Sequence, residues 1–288
     1  MKSNTFQRKH GFQRPFHSLQ IFSWFSCIYN NLTYTIFIIP EHSYPEIIIL
    51  SVIYIILLFL LILLWYKVSR SDPTDPITIL YKKESDQVIL QDYEEKNERH
   101  CSICNCPVYK TSKHCMRCSR CTIGFDHHCK WVNNCIGVQN YKEFFAFIVV
   151  VQFIHILMTV DIAFIGTQMI LNENSVVSGY KKAGEKFFYF EEALIMIALV
   201  LCTLATIFIT KLVFFHVYIS IKGITTYQYI LSTMKNVEKE KDLDDLSENR
   251  LMKNDSMEKN KKCCGINNFN APENSLNQTV VVKNSASV

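Results

Sequence analysis

Apolar residues in this chain are bunched into long runs. Residues 47–66 read IIILSVIYIILLFLLILLWY, 20 positions without a charge. At about 1.5 Å per residue, a helix of that length crosses the roughly 30 Å of a bilayer's hydrocarbon. Two further runs have the same character, 144–170 with one acid, Asp161, and 193–220 with Lys211 late in it. A weaker run, 19–39, is broken by Asn30 and Asn31; it reads as a fourth span, with an interfacial segment as its alternative. The chain beyond Ile230 is polar and charged, which predicts a short exposed helix followed by disorder.

Charge gives these runs a direction. Residues 1–18 hold four Lys/Arg and the 40–46 loop none; residues 67–143 hold twelve. The 171–192 loop has three Lys against four Glu, and ten Lys/Arg follow residue 220. Cytosolic loops collect Lys and Arg, and only four spans put every basic segment on one side. The expected fold is therefore an α-helical integral membrane protein. It has a cytosolic N-terminal segment (1–18), transmembrane helices at 19–39, 47–66, 144–170 and 193–220, a cytosolic loop (67–143) and a cytosolic, largely disordered tail (221–288). The first run does not read as a cleaved signal peptide, because its middle is polar and no small-residue cleavage site follows. Asp161 falls roughly 25 Å into its helix, where a carboxylate either reaches the far headgroups or has a function. Lys211 is expected to snorkel to the cytosolic side.

Hydrophobic residues make up 49% of the chain, with 20 Phe and 14 Tyr, as a membrane protein requires; the net charge of +4 decides little. The cysteines decide more. Eight of the 12 lie between Cys101 and Cys135. The skeleton is Cys101-x2-Cys104, His114-Cys115-x2-Cys118-x2-Cys121, His128-Cys129 and Cys135. Paired C-x2-C knuckles interleaved with histidines suit tetrahedral zinc. Disulfides would need an oxidising compartment, against the charge rule, and a redox C-x2-C would not need so many partners. Setting aside Cys106 and Cys129 leaves Cys101, Cys104, His114, Cys115, Cys118, Cys121, His128 and Cys135, enough for two shells of three cysteines and one histidine. Spacing does not say which four belong together. Thirty-five residues (101–135) make too small a core to fold unaided, so metal would supply most of the folding energy. No repeat of solenoid length is visible; the doubled ligand set comes nearest to one.

His127 and Cys129 are left over. A thiol beside an imidazole and a carboxylate is the arrangement of an activated nucleophile. Thiolate is the attacking form, and a nearby imidazole can take the proton; Asp126 would orient His127, as the acid does in a triad. The plainer alternatives are an inert Cys129 and a His127 that donates to a zinc-bound thiolate.

The tetrad Asp126-His127-His128-Cys129, set in this array with Cys135 six residues on, resembles the DHHC protein S-acyltransferases, or palmitoyltransferases. The resemblance is close over about 35 residues, and the order of two spans, cysteine-rich domain and two spans extends it over most of the chain. It implies two structural zinc ions, one on Cys101, Cys104, His114 and Cys121, the other on Cys115, Cys118, His128 and Cys135. It also implies a two-step reaction: Cys129 takes the acyl group of palmitoyl-CoA, then a substrate cysteine receives it, with His127 as base, Asp126 its partner and Thr226 bonded to Asp126. Membrane lipids and membrane-associated proteins with cytosolic cysteines would be the partners, in an endomembrane (Golgi or ER) or the plasma membrane.

Some family motifs are altered. Asp-Pro-Gly is Asp72-Pro73-Thr74, Thr-Thr-x-Glu is Thr225-Thr226-Tyr227-Gln228, and the usual basic stretch is Val108-Tyr109-Lys110-Thr111. Lys110, Lys113, Arg117 and Arg120 remain as cations for a CoA headgroup, and only a vestige of the tail motif stands at Asn267, Asn268 and Phe269. Cys263 and Cys264, after two lysines, are candidates for lipidation or ordinary tail cysteines. Phe153 and Ile154 in the third run are candidates to line an acyl tunnel. A non-catalytic membrane zinc scaffold or chaperone is the alternative function, and it would leave Cys129 dispensable. Nucleic-acid binding is not expected, since the C-x2-4-C-x12-H-x3-5-H pattern is missing. A membrane ubiquitin ligase would leave the tetrad unexplained.

Overall fold

The computed structural model describes residues 7–83, 99–171 and 185–263. These fall into two units, Met1–Ser232 and Thr233–Val288. Helix α1 (Ser18–Thr33) continues through a π segment (Tyr34–Ile38) into a 3-10 turn (Ile39–Glu41). Helix α2 (Tyr44–Arg70) starts at a reciprocal cap in which Glu46 accepts from the Ser43 backbone N–H and hydroxyl, at 2.9 and 2.8 Å. It ends at Ser71, ahead of Pro73, with Lys67 and Arg70 in its last turn, where they suit the helix dipole. A short α3 (Pro76–Lys83), capped by Asp75, leads away from it. After the cysteine-rich segment come α4 (Tyr141–Leu171), α5 (Glu185–Ile221) and α6 (Thr226–Cys263). The last is longer than the short helix expected from its composition; it runs out of the first unit and makes up the described part of the second.

Among the described residues, three helices are long and apolar enough to cross a membrane: α2, with 27 residues, and stretches of 28 in α4 and 30 in α5. The α-helix that covers the start of the 19–39 run, Ser18–Thr33, has only 16 residues. Helix α4 packs along α5 and α2, and α1 lies against α5. Tyr34, Tyr54, Ile154, Met158, Ile162 and Cys202 are buried between them, while Ile55, Phe59, Phe208 and Phe214 stay on the outside. Of the two candidate tunnel residues, Ile154 is inside the bundle and Phe153 faces out. Asp161 is not left to lipid headgroups: the Tyr34 hydroxyl donates to it at 2.7 Å and His42 Nε2 lies 3.0 Å away. The chain that returns after α1 brings both partners to it.

The cysteine-rich segment folds as three antiparallel hairpins: β1 (Arg99–Cys101) with β2 (Cys106–Val108), β3 (Lys113–Cys115) with β4 (Arg120–Thr122), and β5 (His127–Cys129) with β6 (Asn134–Ile136). Their registers are the same, displaced by 14 residues, with His100↔Pro107, His114↔Cys121 and His128↔Cys135 as the central pairs. Each turn passes through one residue with positive φ, Asn105, Ser119 and Asn133 in turn. So the unit repeats three times where the ligand pattern showed two. The third copy escapes notice in the sequence because Val132 stands where the first two have Cys104 and Cys118.

Candidate active site

The hairpins bring the eight ligand residues into two clusters. One is Cys101, Cys104, His114 and Cys121; the other is Cys115, Cys118, His128 and Cys135. In the first, His114 Nδ1 lies 3.8, 3.2 and 3.8 Å from the three sulfurs, and Cys104 and Cys121 are 3.7 Å apart. In the second, His128 Nδ1 lies 3.7, 3.3 and 3.8 Å from its sulfurs, with Cys118 and Cys135 3.4 Å apart. A zinc tetrahedron with Zn–S of about 2.3 Å and Zn–N of about 2.0–2.1 Å has edges of about 3.8 and 3.6 Å, so both donor sets fit the ion. The sulfurs are far beyond the roughly 2.05 Å of a disulfide. Each cluster takes the C-x2-C of one hairpin and the central His/Cys pair of the next, which chains the three hairpins together.

This arrangement explains the neighbouring histidines. Successive side chains of a strand point to opposite faces. His128 faces its cluster, so His127 and Cys129 share the other side of β5. Cys129 occupies the place held by the ligands Cys101 and Cys115 in the first two copies. Val132 replaces its knuckle partner, and among the described residues no fourth hairpin follows to close a shell. Its thiol, 7% exposed, instead joins an apolar cluster with Val68, Val132, Ile136, Phe144 and Ile148, where β5–β6 meets α2 and α4.

His127 Nδ1 is 2.7 Å from Asp126 Oδ2. Burial alone would lower the proton affinity of His127, but Asp126 and the Cys129 sulfur outweigh it and push its pKa up to about 9. Asp126, 3% exposed, is anchored from 100 residues away. The Thr226 backbone N–H donates to Oδ1 at 2.8 Å and its hydroxyl to Oδ2 at 2.7 Å. Thr226 opens α6, so the carboxylate takes up a free N–H at the positive end of a helix. Burial pushes the Asp126 carboxyl up, yet His127 and Thr226 hold it below its ordinary range.

The altered motifs acquire specific contacts. Gln228 Oε1 accepts from Thr225 N–H at 2.9 Å and Thr225 Oγ1 from Gln228 N–H at 3.2 Å, a complete capping box without the acid. The Thr74 hydroxyl bonds Asp72. Arg120 corrects the expectation of a headgroup cation. It is fully buried and donates to Lys9 O (2.7 Å), Asp72 Oδ1 (2.8 Å) and Asn134 Oδ1 (2.6 Å). The α2–α3 turn, the N-terminal segment and β6 converge on it, and with Asp72 as its counter-ion they shut it off from a headgroup anion. Lys110 and Arg117 are exposed, and Lys113 stands over the Tyr227 ring at 5.4 Å. Cys106 is buried beside Thr78 of α3. Cys264, Asn267, Asn268 and Phe269 lie outside the described residues, as does the side chain of Cys263.

The sequence reading missed two neighbours of the site. The N-terminal segment braces the hairpins: Arg8 N–H donates to Cys118 O at 2.9 Å and Asn133 Nδ2 to Pro15 O at 3.2 Å. A Cβ on Gly11 would stand 2.0 Å from Val132 O, so only glycine lets the segment pass. The other is His216 of α5, 1% exposed, whose ring is 5.8 Å from that of His127 and 5.1 Å from Phe144. The N-terminal brace carries no local signal; for His216, a histidine in an apolar run is the one visible hint.

Residues 94–233 match the family model for DHHC palmitoyltransferase. Among curated proteins, probable protein S-acyltransferase 20 of Arabidopsis thaliana is 36% identical over 137 residues, which cover 46% of this chain and 19% of that protein. Palmitoyltransferase ZDHHC4 of Bos taurus is 40% identical over 107 residues, 34% of this chain and 30% of its own length. Probable protein S-acyltransferase 13 of Arabidopsis thaliana is 35% identical over 102 residues, 31% and 34%. The chain covers well under two thirds of each relative.

Proposed function

We propose that this chain, which carries a DHHC palmitoyltransferase domain, is a membrane protein S-acyltransferase that moves a palmitoyl-type group from acyl-CoA to protein cysteines. The observation that carries the reading is the side-by-side placement of Cys129 and the Asp126–His127 pair on the metal-free face of β5, next to apolar helix ends. In the first step His127 takes the Cys129 proton and the sulfur attacks the thioester carbonyl. The bond to CoA sulfur breaks, and the departing thiolate takes the proton from His127. In the second step His127 accepts the proton of a substrate cysteine, whose sulfur takes the acyl group and releases Cys129. Asp126 keeps His127 oriented throughout, and Thr226 keeps Asp126. Zinc on the two clusters would be structural: each has four protein ligands and no open position.

The architecture suits an amphiphilic donor. Each CH2 of the acyl chain favours lipid by about 0.8 kcal/mol while CoA stays in water, so the thioester must react at the interface. We propose four spans, with 19–39 completing the three longer helices, both termini and residues 67–143 in the cytosol, and the boundaries drawn from the apolar runs. Membrane lipids and membrane-associated proteins with cytosolic cysteines are the corresponding partners, in an endomembrane or the plasma membrane. No observation favours a non-catalytic scaffold. Feeding cells alkynyl palmitate tests the reading. The wild type should carry a hydroxylamine-labile label that vanishes in Cys129→Ser at equal expression, and an equal label on both would refute it.

A further inference from the structure

Asp126 and His127 have a neighbour that acyl transfer does not use. His216 is buried on α5, and its Nδ1 lies 3.1 Å from the Tyr141 hydroxyl, itself 3.2 Å from Ser220 Oγ. That contact holds the ring in place, as outer partners hold metal-binding histidines, and leaves Nε2 free. One ligand atom each from Asp126, His127 and His216 lie within 4.8 Å of one another. A zinc tetrahedron with nitrogen and oxygen donors has edges of about 3.3–3.5 Å, so small rotations of two imidazoles would close the set. Two histidines and a carboxylate, with the fourth position open, is also a donor set that zinc uses in open sites. It differs in kind from the hairpin clusters, which are closed and rich in thiolate.

We propose that Asp126, His127 and His216 form a third, reversible site for a zinc-class divalent cation, and that its occupation inhibits the protein. A cation there draws Asp126 and His127 away from their mutual bond and stands beside Cys129. His216 is then a regulatory ligand with no part in the transfer itself, which accounts for a buried histidine set against His127.

The test titrates Zn2+ into the full chain, already loaded with two zinc ions, and reads heat by calorimetry and, separately, thioester loading of Cys129. The wild type should bind one further equivalent and lose loading over the same concentrations. His216→Gln and His216→Phe, the latter keeping the ring contacts, should keep basal loading. Both should weaken the extra equivalent by more than about tenfold, the lower end of what even an outer-partner change costs. Asp126→Asn, read for binding alone, should weaken it too. Absence of a third equivalent in the wild type, unchanged binding in the His216 variants, or binding without loss of loading would overturn the proposal. Calorimetry reads the metal alone, so a chain that binds the third ion yet never loads acyl would refute the transferase reading and not this site.

Discussion

Replacing Asp126 by Asn tests the electrostatics of the site with almost no change in shape. The carboxylate is buried and accepts from His127 and twice from Thr226. It is the largest of the influences that raise His127 to about 9, against an opposing desolvation that on its own would take the group below its ordinary 6.5. The interval between those values is a factor of about 300 in proton affinity, at tenfold per unit. That factor is the net of Asp126, the Cys129 sulfur and burial together, and it sets the scale of what is lost when the acid becomes an amide. The sign follows: His127 favours its protonated form in the folded protein, so the pair persists as pH rises until about 9. Without Asp126, burial works against a protonated His127 with less to oppose it, and the imidazole holds a proton less tightly. Acyl loading of purified protein by palmitoyl-CoA, followed against pH, reads this directly. Asp126→Asn should load about 100-fold more slowly or worse at neutral pH, partly recovering as pH rises and hydroxide ionises the thiol. Loading within about threefold of wild type at neutral pH, with both zinc ions retained, would refute the argument that Asp126 sets the proton affinity of His127.

Thr226→Val removes one hydroxyl bond to a charged acceptor and keeps the backbone N–H bond. A loss of about 1.5–3 kcal/mol at that contact should slow loading at least tenfold while expression holds; an unchanged rate would remove Thr226 from the site. Gly11→Ala places a methyl 2.0 Å from Val132 O, which should lower stability by about 1–3 kcal/mol, read as a fall in melting temperature, and an undisturbed melt would show that the N-terminal brace yields. Chelating zinc should unfold the hairpins, since three-residue strands have little else to hold them. Protease cleavage between 99 and 136 should then appear, and its absence would mean that the clusters are not the fold's anchor.

Local patterns in the sequence determined much of this protein. Long apolar runs mark α2, α4 and α5, because a helix in lipid must be apolar along its whole length and needs no distant partner to be recognised. The alternation of Cys and His sets out two ligand sets and leaves over a thiol next to Asp126 and His127, because metal ligands must recur at short spacings whatever surrounds them. Tertiary structure alone decided the rest. Thr226 meets Asp126 across 100 residues, a contact the sequence offered only through family resemblance. Arg120, which reads as one of several surface cations, is buried at a three-way junction because Asp72, Lys9 and Asn134 happen to converge there. His216 reads as one polar residue in a membrane helix, and only the packing of α5 against the hairpins turns it toward His127. Spacing along a chain encodes faces and knuckles; which faces meet is set by how whole elements bury their apolar surfaces.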